Sequence, residues 1–313
     1  MKHYPEQLKI AAKQKVKERE YWLNKFSGEL SETHFPYDYI SGRYRENNDS
    51  HPIEAETFLW GGELFPALME LSRDSDFSLH MVLTAGLVLL LRKYTGTGDI
   101  VIAAPIYRQE VEAEFINTLL VLRNRFEDRI SFKELLLRVR ESIIEATENY
   151  SYPVGIILQE LGAPFPGIAL LVENIHDKDY LGDYGFNVLF SFKRTAETVE
   201  GVVEYDALLY DRSTIRQIVT HFKRLLETVL ADLSVTAAHT GVLSEEEKEQ
   251  LLYAFNDVPG GGAGDRTIPG LFEEQAERTP DRTAIVGVNP KSETNSKFKR
   301  SKFKTPSNLP GIG

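Results

Sequence analysis

Apolar positions recur along this chain with two periods, and they mark out alternating helices and strands. Leu8 to Phe26 reads as a basic amphipathic helix, with Tyr21, Trp22, Leu23 and Phe26 docking it onto a core. Residues 31–51 carry few aliphatics and the turn formers Asn47, Asn48, Asp49 and Ser50, which predicts a long loop. Glu54 to Leu59 reads as a strand, and Glu63 to Ser72 as a helix with Leu64, Leu68 and Leu71 on one face. From Ser78 to Tyr94, Leu79, Val82, Leu83, Leu87, Leu90 and Leu91 cover most of a helix circumference, so that helix should be deeply buried. Thr95 to Gly98 end it, and Asp99 to Pro105 follows as an inner strand closed by a proline.

Ile116 to Leu122 reads as a second apolar strand. Ser131 is placed to N-cap a helix running to about Asn149, with Glu134 at the capping-box position. Its core face would be Phe132, Leu135, Leu136, Val139, Ile143 and Ala146. Ile168 to Asn174, Phe186 to Lys193 and Val202 to Asp206 read as strands, and in the middle one Phe186, Val188, Phe190 and Phe192 point one way. Asp211 or Ser213 caps a helix through about Asp232. Strands alternating with long helices predict an α/β fold, one sheet with helices packed on one face. Leu243 to Phe255 reads as a short acid-rich helix, Val258 to Asp265 as a glycine-rich linker, and Thr267 to Ala276 as another short helix. From Gly287 six lysines and arginines face one acid, Glu293, and the tetrapeptide SKFK occurs twice, which predicts a disordered basic tail.

Composition narrows the function classes. The hydrophobic share is 42% and the charged share 27%, as in ordinary soluble domains. No unbroken run of about twenty apolar residues occurs and the N-terminus lacks an apolar core, so neither a membrane span nor a secretory signal is expected. There are no cysteines, which excludes disulfides, thiolate nucleophiles and cysteine-type zinc sites and fits a cytoplasmic location. The net charge of -11 argues against nucleic acid as a partner. The seven histidines are scattered, with no i, i+4 pair on a helix and no HExxH, so no metal is expected. Gly260-Gly261-Gly262-Ala263-Gly264 lacks the GK[ST] of a phosphate loop and reads as a linker.

Several segments, in order, resemble the condensation domains of nonribosomal peptide synthetases. EFINTLLVLR (Glu114–Arg123) resembles their GxFVNTxxxR signature, and Glu20 to Leu23 through Phe35-Pro36-Tyr37-Asp38 resembles the entry into their second half. SLHMVLTAGLVLLLRKYTGTGDIVIAAPI, SFKELLLRVRESIIEATENYSYPVGIIL and EYDALLYDRSTI resemble the elements around the signature. LSEEEKEQLLYAFND resembles the condensation–adenylation linker, and TIPGLFEEQAERTPDRTAIV the start of an adenylation domain. The resemblance implies a chloramphenicol-acetyltransferase-like lobe over 1–240, a linker over 241–266, a truncated adenylation start over 267–286 and a non-family tail over 287–313. It implies a family that forms amides between acyl and aminoacyl groups carried on the phosphopantetheine arms of carrier proteins. No cofactor is expected to be bound.

The family's catalytic HHxxxDG loop lies upstream of the signature, and no such loop occurs among these residues. The chain is thus expected to be half of a two-lobed enzyme, inactive alone in condensation and in adenylation. The expected partners are a carrier protein, other synthetase modules or a separate N-terminal lobe. His34 and Asp38 share the spacing of HxxxD, but Thr33 precedes and Tyr39 follows, so His34 reads as an ordinary loop residue. His80 reads as a partly buried core or cap residue, His221 as an exposed one, and Tyr152-Pro153 as a rigid turn. Two readings apply to Asn117, Thr118 and Arg123, which would sit in an apolar strand. Polar groups there must be hydrogen-bonded, so they satisfy backbone and an acid at the sheet edge. Alternatively, by resemblance, they line the interlobe tunnel of the pantetheine arm.

Overall fold

A computed structural model describes residues 13–30, 32–39, 52–109, 117–182, 184–254 and 268–279. The expectations for residues 1–12 and 40–51, for Glu114 to Ile116, for the glycine-rich linker and for the basic tail lie outside these. The chain divides into two compact units, Met1–Glu245 and Glu246–Gly313. In the first, strands β1 (Ile53–Trp60), β2 (Asp99–Pro105), β3 (Leu119–Arg125), β4 (Ile168–Val172), β5 (Val188–Arg194) and β6 (Val199–Asp206) form one mixed sheet. Their order is β1-β6-β5-β4-β2-β3. The β2–β4 and β4–β5 pairs are parallel and the others antiparallel.

Helices α2 (Leu64–Ser72), α3 (Asp76–Thr95), α4 (Phe132–Glu148) and α6 (Arg212–Ala231) pack on one another and against the sheet. A smaller pair, α1 (Val16–Lys25) and α5 (Val154–Glu160), packs together beside β3. Of the described residues, α3 forms the one helix long and apolar enough to cross a membrane, and 67% of that stretch is buried inside the protein. Its apolarity therefore serves the core. Gly86 permits this packing, because a Cβ there would meet Phe222 at 2.9 Å and Leu226 at 2.8 Å on α6. Phe190 and Phe192 of β5 pack on Phe222 from the sheet side.

Local sequence explains the helix ends. Ser131 and Glu134 form the capping box that starts α4. Gly96 takes the left-handed conformation, φ 71°, that closes α3. Helix α6 is capped from a distance. The Asp38 carboxylate accepts from the Asp211 N–H at 2.7 Å and from the Thr214 hydroxyl at 2.9 Å.

Three expectations need correction. The strand read at Ile116 to Leu122 lies three residues later, at Leu119–Arg125, so Asn117 and Thr118 precede it. The apolar run suggested an end at Leu122, but pairing with β2 carries the strand through Arg123, Asn124 and Arg125. His221 is buried on α6 and exchanges a hydrogen bond with Tyr94 Oη at 2.7 Å, so it does not lie on an exposed face. The helix read over Leu243 to Phe255 is shorter, spanning Glu245–Glu249 and passing into a π-helical turn, Gln250–Ala254. In the second unit a further helix spans Ile268–Arg278.

Candidate functional site

The signature residues fall at opposite ends of β3. Asn117 and Arg123 are six residues apart, which along a strand is roughly 20 Å. Arg123, at the far end, is 4% exposed. Its Nε donates to Asp99 Oδ1 at 2.8 Å and its Nη2 to Asp99 Oδ2 at 2.5 Å. The remaining donors reach the carbonyls of Lys25 at 3.4 Å, Ser27 at 2.9 Å and Glu29 at 2.7 Å. All five N–H groups are used, so the side chain fastens the segment after α1 to the sheet. Burial raises the Asp99 carboxyl, but the hydrogen bonds and charges of Arg123 and Arg125 outweigh it and hold the group below its ordinary value.

At the near end Asn117 Nδ2 donates to the carbonyls of Leu119 at 2.7 Å and Tyr150 at 3.0 Å. Thr118 Oγ1 donates to Tyr180 O at 2.6 Å, and the Thr118 carbonyl accepts from the Ile106 N–H. These are the backbone contacts that the first reading of those residues requires. Beside them lies a cluster the sequence did not reveal. Tyr107, just past β2, forms an isolated antiparallel bridge with His176, just past β4, and stacks on it with ring centroids 5.2 Å apart. His80, on the first turns of α3, meets His176 edge-on at 4.6 Å. Arg108 ties the same corner down by donating to the carbonyls of Glu173 and His176.

His80 and His176 are essentially inaccessible. Among the described residues, no hydrogen-bond partner meets His80 Nδ1, His80 Nε2, His176 Nε2 or Tyr107 Oη. Burial drives the His176 imidazole down to about 3. His80 falls well below 6.5 through burial first and the neighbouring His176 second. Burial pushes the Tyr107 phenol up to about 12. Both histidines are therefore neutral at ordinary pH. His176 Nδ1 accepts from the Val172 N–H at 2.9 Å, which assigns the ring proton to Nε2 and leaves no lone pair there for a metal. Among the described residues no group of three or more metal-ligating side chains converges. No sequence signal pointed to His176 or Tyr107, since they meet only because β2 and β4 are parallel neighbours.

The other singled-out residues have structural roles. His34 Nδ1 lies 2.7 Å from the Phe35 carbonyl and its ring stacks on Tyr37, while Asp38 caps α6. Pro153 occupies the N-cap position of α5, and Tyr152 is fully buried beside it.

A mixed six-stranded sheet with a helical layer, a clamped arginine at the carboxy end of β3 and neutral buried histidines near its amino end define an α/β domain. The family model described as "Condensation domain" matches residues 2–252. The chain belongs to the condensation-domain family of nonribosomal peptide synthetases. It is 30% identical over 295 residues to gramicidin S synthase 2 of Brevibacillus brevis, covering 86% of this chain and 6% of the relative. It is likewise 30% identical over 298 residues to bacitracin synthase 3 of Bacillus licheniformis, covering 86% of this chain and 5% of the relative. The chain thus spans a small fraction of these relatives. Among solved structures, the X-domain from teicoplanin biosynthesis shares the fold, with a TM-score of 0.62 and 19% identity over 76% of this chain and 60% of that one.

Proposed function

We propose that this chain is the carboxy-terminal half of a condensation unit, and that by itself it forms no amide bond. In the proposed reaction, a free amine on one carrier-bound aminoacyl group attacks the thioester carbonyl of another carrier-bound acyl group. The C–N bond forms, the C–S bond breaks, and the amine proton ends on the departing thiol. Such a step needs an unprotonated amine, two aligned arms and donors for the oxyanion. The observation that carries the reading is the absence of HHxxxDG from these 313 residues, together with the buried, neutral state of both histidines near the signature. On this reading Asn117 and Thr118 border the tunnel that takes the pantetheine arms, and Arg123 braces its wall from behind. Residues 241–266 then serve as a linker, and 267–286 resemble the start of an adenylation domain.

One observation favours a docking role in the same unit. On edge strand β1, Ile53 and Leu59 lie on the face away from α6 and are 54% and 62% exposed. Glu56, on the opposite face, is paired with Arg212 and Arg216 of α6. A second lobe would cover that outward apolar row.

The test is to mix the purified chain with a carrier-loaded acyl donor and a carrier-loaded aminoacyl acceptor. No dipeptide should form until a lobe bearing HHxxxDG is added. Dipeptide made by the chain alone would refute the proposal.

A further inference from the structure

We propose that a cavity of about 330 Å³ between α1, the carboxy end of β3 and α4 binds a small oxyanion of the phosphate type. Binding there requires no acyl transfer, so it stands or falls apart from the reading of the chain as half a condensation unit.

Charge is the first argument. Lys25, Arg123, Arg125 and Arg138 line the cavity against two carboxylates, Glu141 and Glu145, in a chain whose net charge is -11. Glu145 is already engaged, by Lys25 Nζ at 3.3 Å and Tyr21 Oη at 3.5 Å. Arg123 and Arg125 share the single carboxylate of Asp99. Arg138 makes no salt bridge among the described residues, although its charge reaches the Glu134 carboxylate, which is hydrogen-bonded to Ser131. Its one hydrogen bond goes from Nη1 to the Arg125 carbonyl at 3.2 Å, so most of its donors are open. A guanidinium in this state suits the paired oxygens of an oxyanion.

The second argument is independent of charge. Asn124 and Ser142, in the cavity wall, are 5% and 4% exposed, and among the described residues neither Asn124 Nδ2 nor Ser142 Oγ has a hydrogen-bond partner. Both atoms are sealed from solvent, so an oxyanion held by Arg138 reaches them through a turn of the Asn124 and Ser142 side chains, and it then supplies the acceptors they lack. The frame is rigid as well. Arg138 and Ser142 stand one turn apart on α4, and the strand end opposite is fixed by the Arg123 clamp. At about 30 Å³ per water, the space takes an oxyanion with several waters.

The test is calorimetric titration of the full chain with inorganic phosphate, ionic strength being held constant with sodium chloride. The expected result is saturable binding to one site. Arg138→Gln should weaken it at least about tenfold, the loss of roughly one charge-assisted contact. Glu141→Gln should tighten it severalfold, by removing a facing negative charge. Lys133→Gln, an exposed residue on the same helix but outside the cavity, should leave it unchanged. Thermal midpoints without phosphate check that each variant is folded, and Glu141→Gln carries the test should Arg138→Gln fail to fold. Uptake that does not saturate, or equal weakening by Arg138→Gln and Lys133→Gln, would overturn the proposal.

Discussion

At the carboxy end of β3 every donor of a buried guanidinium meets an oxygen, whereas near its amino end four buried polar atoms of His80, His176 and Tyr107 meet none. Both corners were built from polar residues in a core, yet only one is satisfied. A fully bonded buried ion is rigid and costly to disturb, because removing either partner strands a charge. Unpartnered neutral rings hold the fold only while they stay neutral. Strength at one corner and sensitivity to protons at the other are therefore expected, at opposite ends of the β2–β3 pair.

The largest expected effect breaks the sensitive corner. His176 titrates at about 3 in the folded chain, against about 6.5 when unfolded. Below pH 6.5 the unfolded chain binds protons that the folded chain refuses, so stability falls as pH falls from 6.5 toward 3. His176 contributes a slope approaching about 1.4 kcal/mol per pH unit, and His80, lowered by burial in the same sense, adds to it. Above pH 6.5 they contribute no pH dependence. Urea unfolding between pH 7.5 and 4.5 measures this, and His80→Leu should make the slope shallower. A smaller but still large effect breaks the satisfied corner. Arg123→Ala should cost about 3–5 kcal/mol, and Arg123→Lys should recover little, because an ammonium cannot reach five oxygens in a fork. The smallest sharpens the contrast with an ordinary surface contact. Asp38→Ala removes the remote cap of α6 and should cost about 1 kcal/mol.

Much of the helical layer was legible in the sequence, because periodicity and capping chemistry are local. Ser131 and Glu134 announce α4, and the all-round leucines of α3 announce a buried helix. The register of β3 was not legible. Apolarity stops at Leu122, and only the clamp to Asp99 explains why Arg123 continues the strand. The first reading of Arg123, an acid at the sheet edge, named the right chemistry without naming Asp99. The His80–His176–Tyr107 corner was invisible, since it depends on which strands lie side by side. His221 was misplaced for a related reason, as its partner Tyr94 comes from a different helix.

The central claim is that the β2–β3 pair carries a locked scaffold at one end and borders a proton-sensitive corner at the other, the two acting independently. Urea unfolding of the wild type and Arg123→Lys, each at pH 7.5 and pH 5.0, tests it most directly. Sites this far apart should be additive within about 0.5 kcal/mol, so the substitution should cost the same large amount at both pH values while both proteins lose stability in acid. An Arg123→Lys variant as stable as the wild type, or acid stability unchanged between the two pH values, would contradict it.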